Sequence, residues 1–296
     1  MRIAVLSGKG GTGKTTLVAT FAHLADRVVA VECDVDAANL ALVLPGEDGP
    51  AQPFLSGRKA VVDEAVCAGC GSCAEVCRFD ALQPTPHGAF RVVVPACEGC
   101  GACAFVCPMG AISYADNLAG TWRIRRIARG WLVHASLGVA QDNSGKLVAH
   151  VREQARQLAE AHGVDLVLAD GPPGMGCPVL ATVGHQDRVL AVTEPTASGA
   201  RDLNRLLDLG HHFRIPVDVV VNKWDLSPAG TNTIEEACAE RRVPVIGRIP
   251  FDPAVPRMLA RGEVPLGPPA HFATRAALRA VWARVSRQVT LATAVG

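Results

Sequence analysis

Short apolar runs recur along the chain, separated by stretches in which apolar positions fall at helical spacing. Residues 3–6, 28–31, 166–169, 188–192, 217–221 and 245–249 suit strands buried on both faces of a sheet. Helical patterns alternate with them at 17–25, 145–161, 198–210, 231–240 and 273–289. Strand, helix and strand in that order predict right-handed parallel units. The texture changes between about residues 59 and 115. There Val61-Val62 and residues 90–94 predict small strands, each leading into a group of cysteines. A Pro- and Gly-rich loop at 45–50 marks a boundary before it. Neither flank carries a complete sheet alone. The pattern therefore predicts one α/β domain, residues 1–58 and 116–290, with helices on both faces of a mainly parallel sheet of seven or eight strands. Residues 59–115 would be a small α+β insert.

Composition narrows the function classes. Of 296 residues, 49% are hydrophobic and 19% charged, a globular balance. A net charge of +1 supplies no global field to recruit nucleic acid or an anionic membrane. No run of about 18 apolar residues appears, so a membrane role is not expected and a cytoplasmic protein is. Two local features stand out. The stretch 122–131 holds four arginines and two tryptophans, and reads as a solvated hairpin face or a dock for an acidic partner. The last helix aligns Leu278, Val281, Trp282, Val285 and Val289 in one stripe, suited to packing on the sheet or to lying on a membrane surface.

Eight of eleven cysteines fall in two groups, 67, 70, 73, 77 and 97, 100, 103, 107. Residues 67–82 and 97–112 are identical at nine of sixteen positions, a repeat of 30-residue period. An odd total with two-residue gaps argues for metal rather than disulfides. Zinc is one reading; the other is iron–sulfur, because the spacing, with Pro108 after Cys107, matches bacterial two-cluster ferredoxins. In that pattern the fourth cysteine serves the other cluster. One [4Fe-4S] cluster would take Cys67, Cys70, Cys73 and Cys107, and the second Cys97, Cys100, Cys103 and Cys77. Arg78 departs from the usual proline. Cys33 and Cys238 read as core residues; Cys177 reads as a buried inert thiol or a redox contact.

Gly8-Lys9-Gly10-Gly11-Thr12-Gly13-Lys14-Thr15-Thr16 follows the first strand and opens the first helix, the context a phosphate-binding loop needs. Its glycines let backbone N–H groups turn inward, and the helix adds its positive end. Lys14 would neutralise phosphate and the Thr15 hydroxyl would ligate Mg²⁺.

With Lys9 included, the loop resembles the deviant Walker A motif of the MinD/ParA superfamily, which includes the Mrp and nitrogenase-iron-protein branches. The resemblance implies a P-loop fold of the SIMIBI type, binding ATP and Mg²⁺, in which Lys9 reaches a partner subunit's phosphates. It implies that Asp34, in Glu32-Cys33-Asp34-Val35-Asp36, activates water, and that Asp170, in Asp170-Gly171-Pro172-Pro173-Gly174, holds Mg²⁺ while Gly174 senses the γ-phosphate. The family usually has aspartate at Glu32. Asn222-Lys223-Trp224-Asp225 matches the guanine-reading pattern of GTPases, but the family uses a similar Asn against adenine, so ATP is expected. Pro250 and Asp252 resemble the family's base-side loop.

Together these features resemble MinD-superfamily ATPases that carry an inserted ferredoxin domain. That implies a homodimer, or a heterodimer with a homologous ATPase, whose switch drives electron transfer from the clusters to a redox acceptor. Two alternatives are an iron–sulfur carrier or assembly ATPase, and a positioning or partition ATPase.

Overall fold

A computed structural model of the chain describes residues 1–138, 141 and 143–295. In chain order its elements begin with β1 (Arg2–Ser7), α1 (Lys14–Leu24), β2 (Val28–Glu32), α2 (Leu40–Val43) and β3 (Gly46–Asp48). Then come β4 (Gln52–Val62), α3 (Ser72–Glu75), β5 (Leu82–Pro84), β6 (Phe90–Val92) and α4 (Ala102–Val106). A long strand β7 (Ile112–Ile127) and β8 (Gly130–Leu137) lead to α5 (Ser144–His162), β9 (Val167–Pro173) and α6 (Cys177–Val183). The chain finishes with β10 (Arg188–Thr193), α7 (Ala197–Phe213), β11 (Val217–Asn222), α8 (Pro228–Glu240), β12 (Val245–Ile249), α9 (Ala254–Leu259) and α10 (Phe272–Val295).

Two compact units result. The first comprises Met1–Gln52, Trp122–Ser136 and Ser144–Gly296; the second, Pro53–Thr121 and Leu137–Asn143. The second is wider at both ends than residues 59–115.

In the first unit the strand order is β12-β11-β10-β1-β9-β2-β8-β7-β3. β1 lies between β9 and β10 and is parallel to both. Its alternate residues feed two layers. Ile3 and Val5 join Leu17, Phe21, Leu278 and Val281 in a core that includes α1 and α10. The stripe expected on the last helix is part of that core, with Leu278, Val281 and Val285 buried. Trp282 meets Phe21 at 5.3 Å between ring centroids. Truncating Phe21, which is fully buried, would cost about 3–5 kcal/mol. Buried Leu147, Val148, Val151 and Ala155 line one face of α5, as helical periodicity requires.

The β7–β8 hairpin and β3 widen the sheet beyond the expected seven or eight strands, and β3 is antiparallel to β7. The stretch 122–131 does form a hairpin face, but the arginines that interrupt its apolar pattern hid that it joins the main sheet. Those arginines are engaged. Arg125 pairs with Asp48 at 2.7 Å, His134 meets the same carboxylate at 2.9 Å, and Arg126 covers the Trp131 ring at 4.3 Å. The Arg125 hydrogen bond holds the Asp48 carboxyl below the usual carboxylate range.

The second unit pairs β5 with β6 in an antiparallel hairpin, and β4 with β7. α3 and α4 each follow a glycine of positive φ, Gly71 and Gly101. Ala60, Cys73, Ala81, Leu82, Cys97 and Cys103 form its small core. Cys67, Cys70, Cys73 and Cys107 line one small void, and Cys77, Cys97, Cys100 and Cys103 another. Several sulfurs are engaged by backbone amides. Cys97 Sγ accepts from Gly99 at 3.4 Å, Cys77 Sγ from Ala81 at 3.4 Å, and Cys107 Sγ from Ala111 at 3.3 Å. Burial raises the Cys73 and Cys103 thiols above their ordinary pKa. Among the described residues, no group of three or more His, Cys, Asp or Glu side chains is placed to hold a metal ion. The expected ferredoxin-like insert is corrected on this point to a small cysteine-rich α+β unit. Elsewhere Cys33 and Cys238 are buried as expected, whereas Cys177 is exposed.

Candidate nucleotide site

The carboxyl ends of β1, β2, β9, β10, β11 and β12 converge on one edge of the first unit's sheet, where open α/β sheets place their ligands. The loop after β1 turns through Gly11 and Gly13, at φ 76° and 97°, before α1 begins at Lys14. A Cβ on Gly13 would lie 2.5 Å from Asn222 Nδ2, and one on Gly8 would lie 2.0 Å from Asp202 Cβ. Both positions are thus closed to side chains. The N-terminus of α1 has no side-chain cap, and its first turn contains no acidic residue. Its amide donors are left for a ligand.

Lys14 is buried, and its Nζ donates to Ser7 Oγ at 2.8 Å; that hydroxyl donates to the Lys9 carbonyl at 2.7 Å. Burial lowers the Lys14 pKa against the pull of the Asp170, Asp34 and Glu32 carboxylates. Asp170 is only 1% exposed; its oxygens form no hydrogen bond of good geometry among the described residues, although the Thr15 hydroxyl lies close enough to pull its pKa down. The Thr12 hydroxyl is similarly buried and unpartnered. Burial therefore pushes the Asp170 carboxyl well above the usual range. Glu32 is raised by burial and by Asp170, yet its oxygens are occupied. They accept the amides of Asp34 at 3.2 Å, Asn39 at 3.0 Å and Leu40 at 2.7 Å, closing the loop after β2. Asp34 in that loop is also raised by burial, and accepts from Ala37 N at 3.3 Å. Gly174 donates its amide to the Ser7 carbonyl at 3.2 Å, tying the loop after β9 to the end of β1.

A cavity of about 360 Å³ opens beside this cluster. Gly10, Gly11, Gly13, Lys14, Thr15 and Thr16 line one side, with Asp34. Asn222, Pro250, Phe251 and Asp252 line the other. Gly8, Lys9, Thr12, Asp170 and Gly174 do not line it. On the second side each named polar group has a protein partner. Asn222 Nδ2 donates to the Thr12 carbonyl at 2.7 Å, and Lys223 Nζ donates to the Gly11 carbonyl at 3.1 Å. Asp225 Oδ1 accepts the Phe251 amide at 2.7 Å. Asp252, which lines the cavity, also accepts the amides of Ala254 at 2.9 Å and His271 at 2.7 Å and so ties loops together.

The donor set fits the groups that the loop implies. Unshared helix amides and Lys14 suit phosphates, while the orphaned Asp170 carboxylate and the Thr15 hydroxyl suit a hard divalent cation. Two contributors escaped the sequence reading. Ser7 looks like an ordinary strand residue, and only tertiary contact makes it the partner of Lys14. Glu194 carries no motif of its own, although its place just past a strand end was a usable signal.

A family model described as the CobQ/CobB/MinD/ParA nucleotide-binding domain matches residues 3–266. The chain belongs to that family. It is a P-loop ATPase. An uncharacterized protein of Methanocaldococcus jannaschii, MJ0578, is 33% identical over 267 residues, covering 88% of each chain. A cytosolic Fe-S cluster assembly factor Nubp1 homolog of Drosophila grimshawi is 30% identical over 121 residues, 34% of this chain and 39% of that protein. Among solved structures, the septum site-determining protein MinD of Pyrococcus horikoshii, complexed with Mg-ADP, superposes with a TM-score of 0.59. It is 18% identical, with 98% of this chain and 97% of that chain covered, a likeness of fold.

Membership settles the nucleotide-binding character and leaves the redox reading behind. The matching model describes a nucleotide-binding domain, and no group of three or more His, Cys, Asp or Glu side chains among the described residues is placed to hold a metal ion. The expected two [4Fe-4S] clusters, the electron-transfer role and the redox acceptor are corrected accordingly, and the family's ATPase chemistry remains. No described helix is long and apolar enough to cross a membrane.

Proposed function

We propose that the chain is a Mg²⁺-dependent ATPase whose nucleotide cycle switches it between a monomer and a face-to-face dimer, in the manner of positioning or partition ATPases. The observation that carries this reading is the buried Asp170 carboxylate beside Lys14, whose oxygens have only the Thr15 hydroxyl near them and no hydrogen bond of good geometry. A polar group in that state costs several kcal/mol unless a ligand completes it, and a Mg²⁺–phosphate unit supplies both missing charges.

The amides of residues 10–15 and Lys14 would hold the phosphates, with Gly8 and Gly13 keeping the loop clear of Cβ atoms. Thr15 and Asp170 would hold Mg²⁺, which neutralises charge on the β- and γ-phosphates. Asp34 would orient the attacking water; burial raises its carboxyl against the lowering pull of the Ala37 amide, which aims it, and a base role suits a raised carboxylate. Thr16, Asn222, Pro250 and Asp252 shape the cavity for the nucleoside. Asp225 is engaged by the Phe251 amide, which favours adenine over guanine. Gly174 would carry the state of the γ-phosphate into the loop after β9. Lys9 would reach the phosphates of a second, homologous chain.

The decisive experiment compares Mg²⁺-dependent hydrolysis and nucleotide affinity across variants. Lys14→Ala should abolish binding, and Asp34→Ala should bind ATP without turning it over. GTP binding tenfold tighter than ATP, about 1.4 kcal/mol, would reject the adenine assignment.

A further inference from the structure

Glu194 lies immediately past β10, on the same sheet edge as the phosphate loop. Its two oxygens serve two lysines. Oε2 is 3.0 Å from Lys9 Nζ, and Oε1 accepts from Lys223 Nζ at 2.5 Å. The Glu194 side chain is 13% exposed, against 34% for Lys9 and 30% for Lys223. Burial pushes this carboxyl up, but the Lys223 and Lys9 ammonium groups outweigh it and hold the pKa below the usual value.

The two lysines are not equivalent. Lys223 also donates to the Gly11 carbonyl, so it is pinned between Glu194 and the loop. Apart from Glu194, Lys9 Nζ has a long contact of 3.4 Å to the Thr196 hydroxyl. That hydroxyl already accepts the Gly199 amide at the start of α7. The position of Glu194 is itself constrained by Pro195 behind it and by the Thr196 cap. A rigid carboxylate thus holds one lysine that is committed to the loop and one that can leave. When Lys9 departs, Glu194 keeps Lys223 as its counter-ion and is not left buried and unpaired, which would be the costly outcome.

We infer that Glu194 is a positioning residue for Lys9. It holds the lysine in cis against its own chain and so sets the nucleotide threshold at which two copies pair. The inference rests on the dimer reading above. A partner's phosphate must win Lys9 from Glu194 before the lysine can cross an interface, so weakening the Glu194 charge should ease pairing.

The test is the mass of the full chain by light scattering, titrated with Mg²⁺ and a non-hydrolysable ATP analogue. Wild type, Glu194→Gln, Glu194→Asp and Lys9→Ala are compared, each checked by circular dichroism. Glu194→Gln should lower the analogue concentration at half-dimerisation about three- to fivefold, the range expected for a partly exposed ion pair. Glu194→Asp, which keeps the charge, should return toward wild type. A purely structural role predicts the opposite shift, because a loosened loop would dimerise less readily. If Lys9→Ala blocks pairing while Glu194→Gln leaves the midpoint unchanged or raises it, the latch is overturned and the dimer reading survives. If wild type stays monomeric, or Lys9→Ala pairs as well as wild type, the dimer reading fails and the latch with it.

Discussion

The phosphate end and the base end of the nucleotide site, in and around the cavity, are built on opposite principles. On the phosphate side, polar groups are buried without a hydrogen bond of good geometry: both oxygens of Asp170, with only the Thr15 hydroxyl near them, and the Thr12 hydroxyl. On the base side, Asn222, Lys223, Asp225 and Asp252 all have protein partners, several of them loop amides or carbonyls. Unsatisfied buried charge is expensive, so it persists where a ligand repays it. Satisfied polar groups are scaffold, and they fix where the unsatisfied ones point. The contrast separates residues that should act on nucleotide from residues that hold those in place, and each prediction below tests that separation.

The largest effect should come from Asp170→Asn. It removes the charge that would hold Mg²⁺, and Mg²⁺-dependent turnover should fall by about two orders of magnitude or more. The same substitution should stabilise the protein in chelator without nucleotide by about 1–3 kcal/mol, because an amide tolerates burial better than a carboxylate. The sign with pH follows from the raised pKa. The folded chain keeps a proton on Asp170 at a pH where the unfolded chain, near its ordinary value of about 3.9, has lost it. Wild-type stability should therefore decline as pH rises from that value through the folded one, and Asp170→Asn should flatten the decline. Thermal melts across pH in chelator decide this; a destabilised Asp170→Asn would mean that the carboxylate has a protein partner after all.

Asn222→Ala should come next. It leaves the Thr12 carbonyl without the Nδ2 donor and frees the loop beside Gly13, costing about 1–2 kcal/mol in urea unfolding and weakening nucleotide binding in step. Weakened binding with unchanged stability would make Asn222 a base reader and not a scaffold residue.

The smallest effect should be that of Asp225→Asn. Its amide oxygen can still accept from Phe251 N, so stability should change by less than about 1 kcal/mol. The preference between ATP and GTP should stay where it was. A marked shift in that preference, measured by competitive binding, would give Asp225 the guanine-reading role that its motif advertises.

Much of the phosphate side was legible in residue order. A glycine-rich loop between an apolar run and a helix, and an aspartate closing another apolar run, are local patterns, and the structure brings Lys14 and Asp170 to one edge. Base-side roles were less legible. Asn222 and Asp252 were expected to bind the nucleoside and both line the cavity, but their other engagements were hidden: Asn222 grips a carbonyl 210 residues away and Asp252 binds residue 271. The widening of the sheet by β7, β8 and β3 was hidden for a related reason, since the Asp48 that pairs with Arg125 across the strands lies 77 residues away. In the cysteine-rich unit a strong spacing pattern outran the placement of the side chains.

Order and spacing along the chain alone determine which segments become strands and where the phosphate loop falls, because those properties depend on neighbours a few residues apart. Only the tertiary structure decides which polar groups end up paired and which are stranded. Burial and partner choice arise from packing elements far apart in sequence, and so Glu32 is spent on its own loop while Asp170, one strand over, is left free to bind.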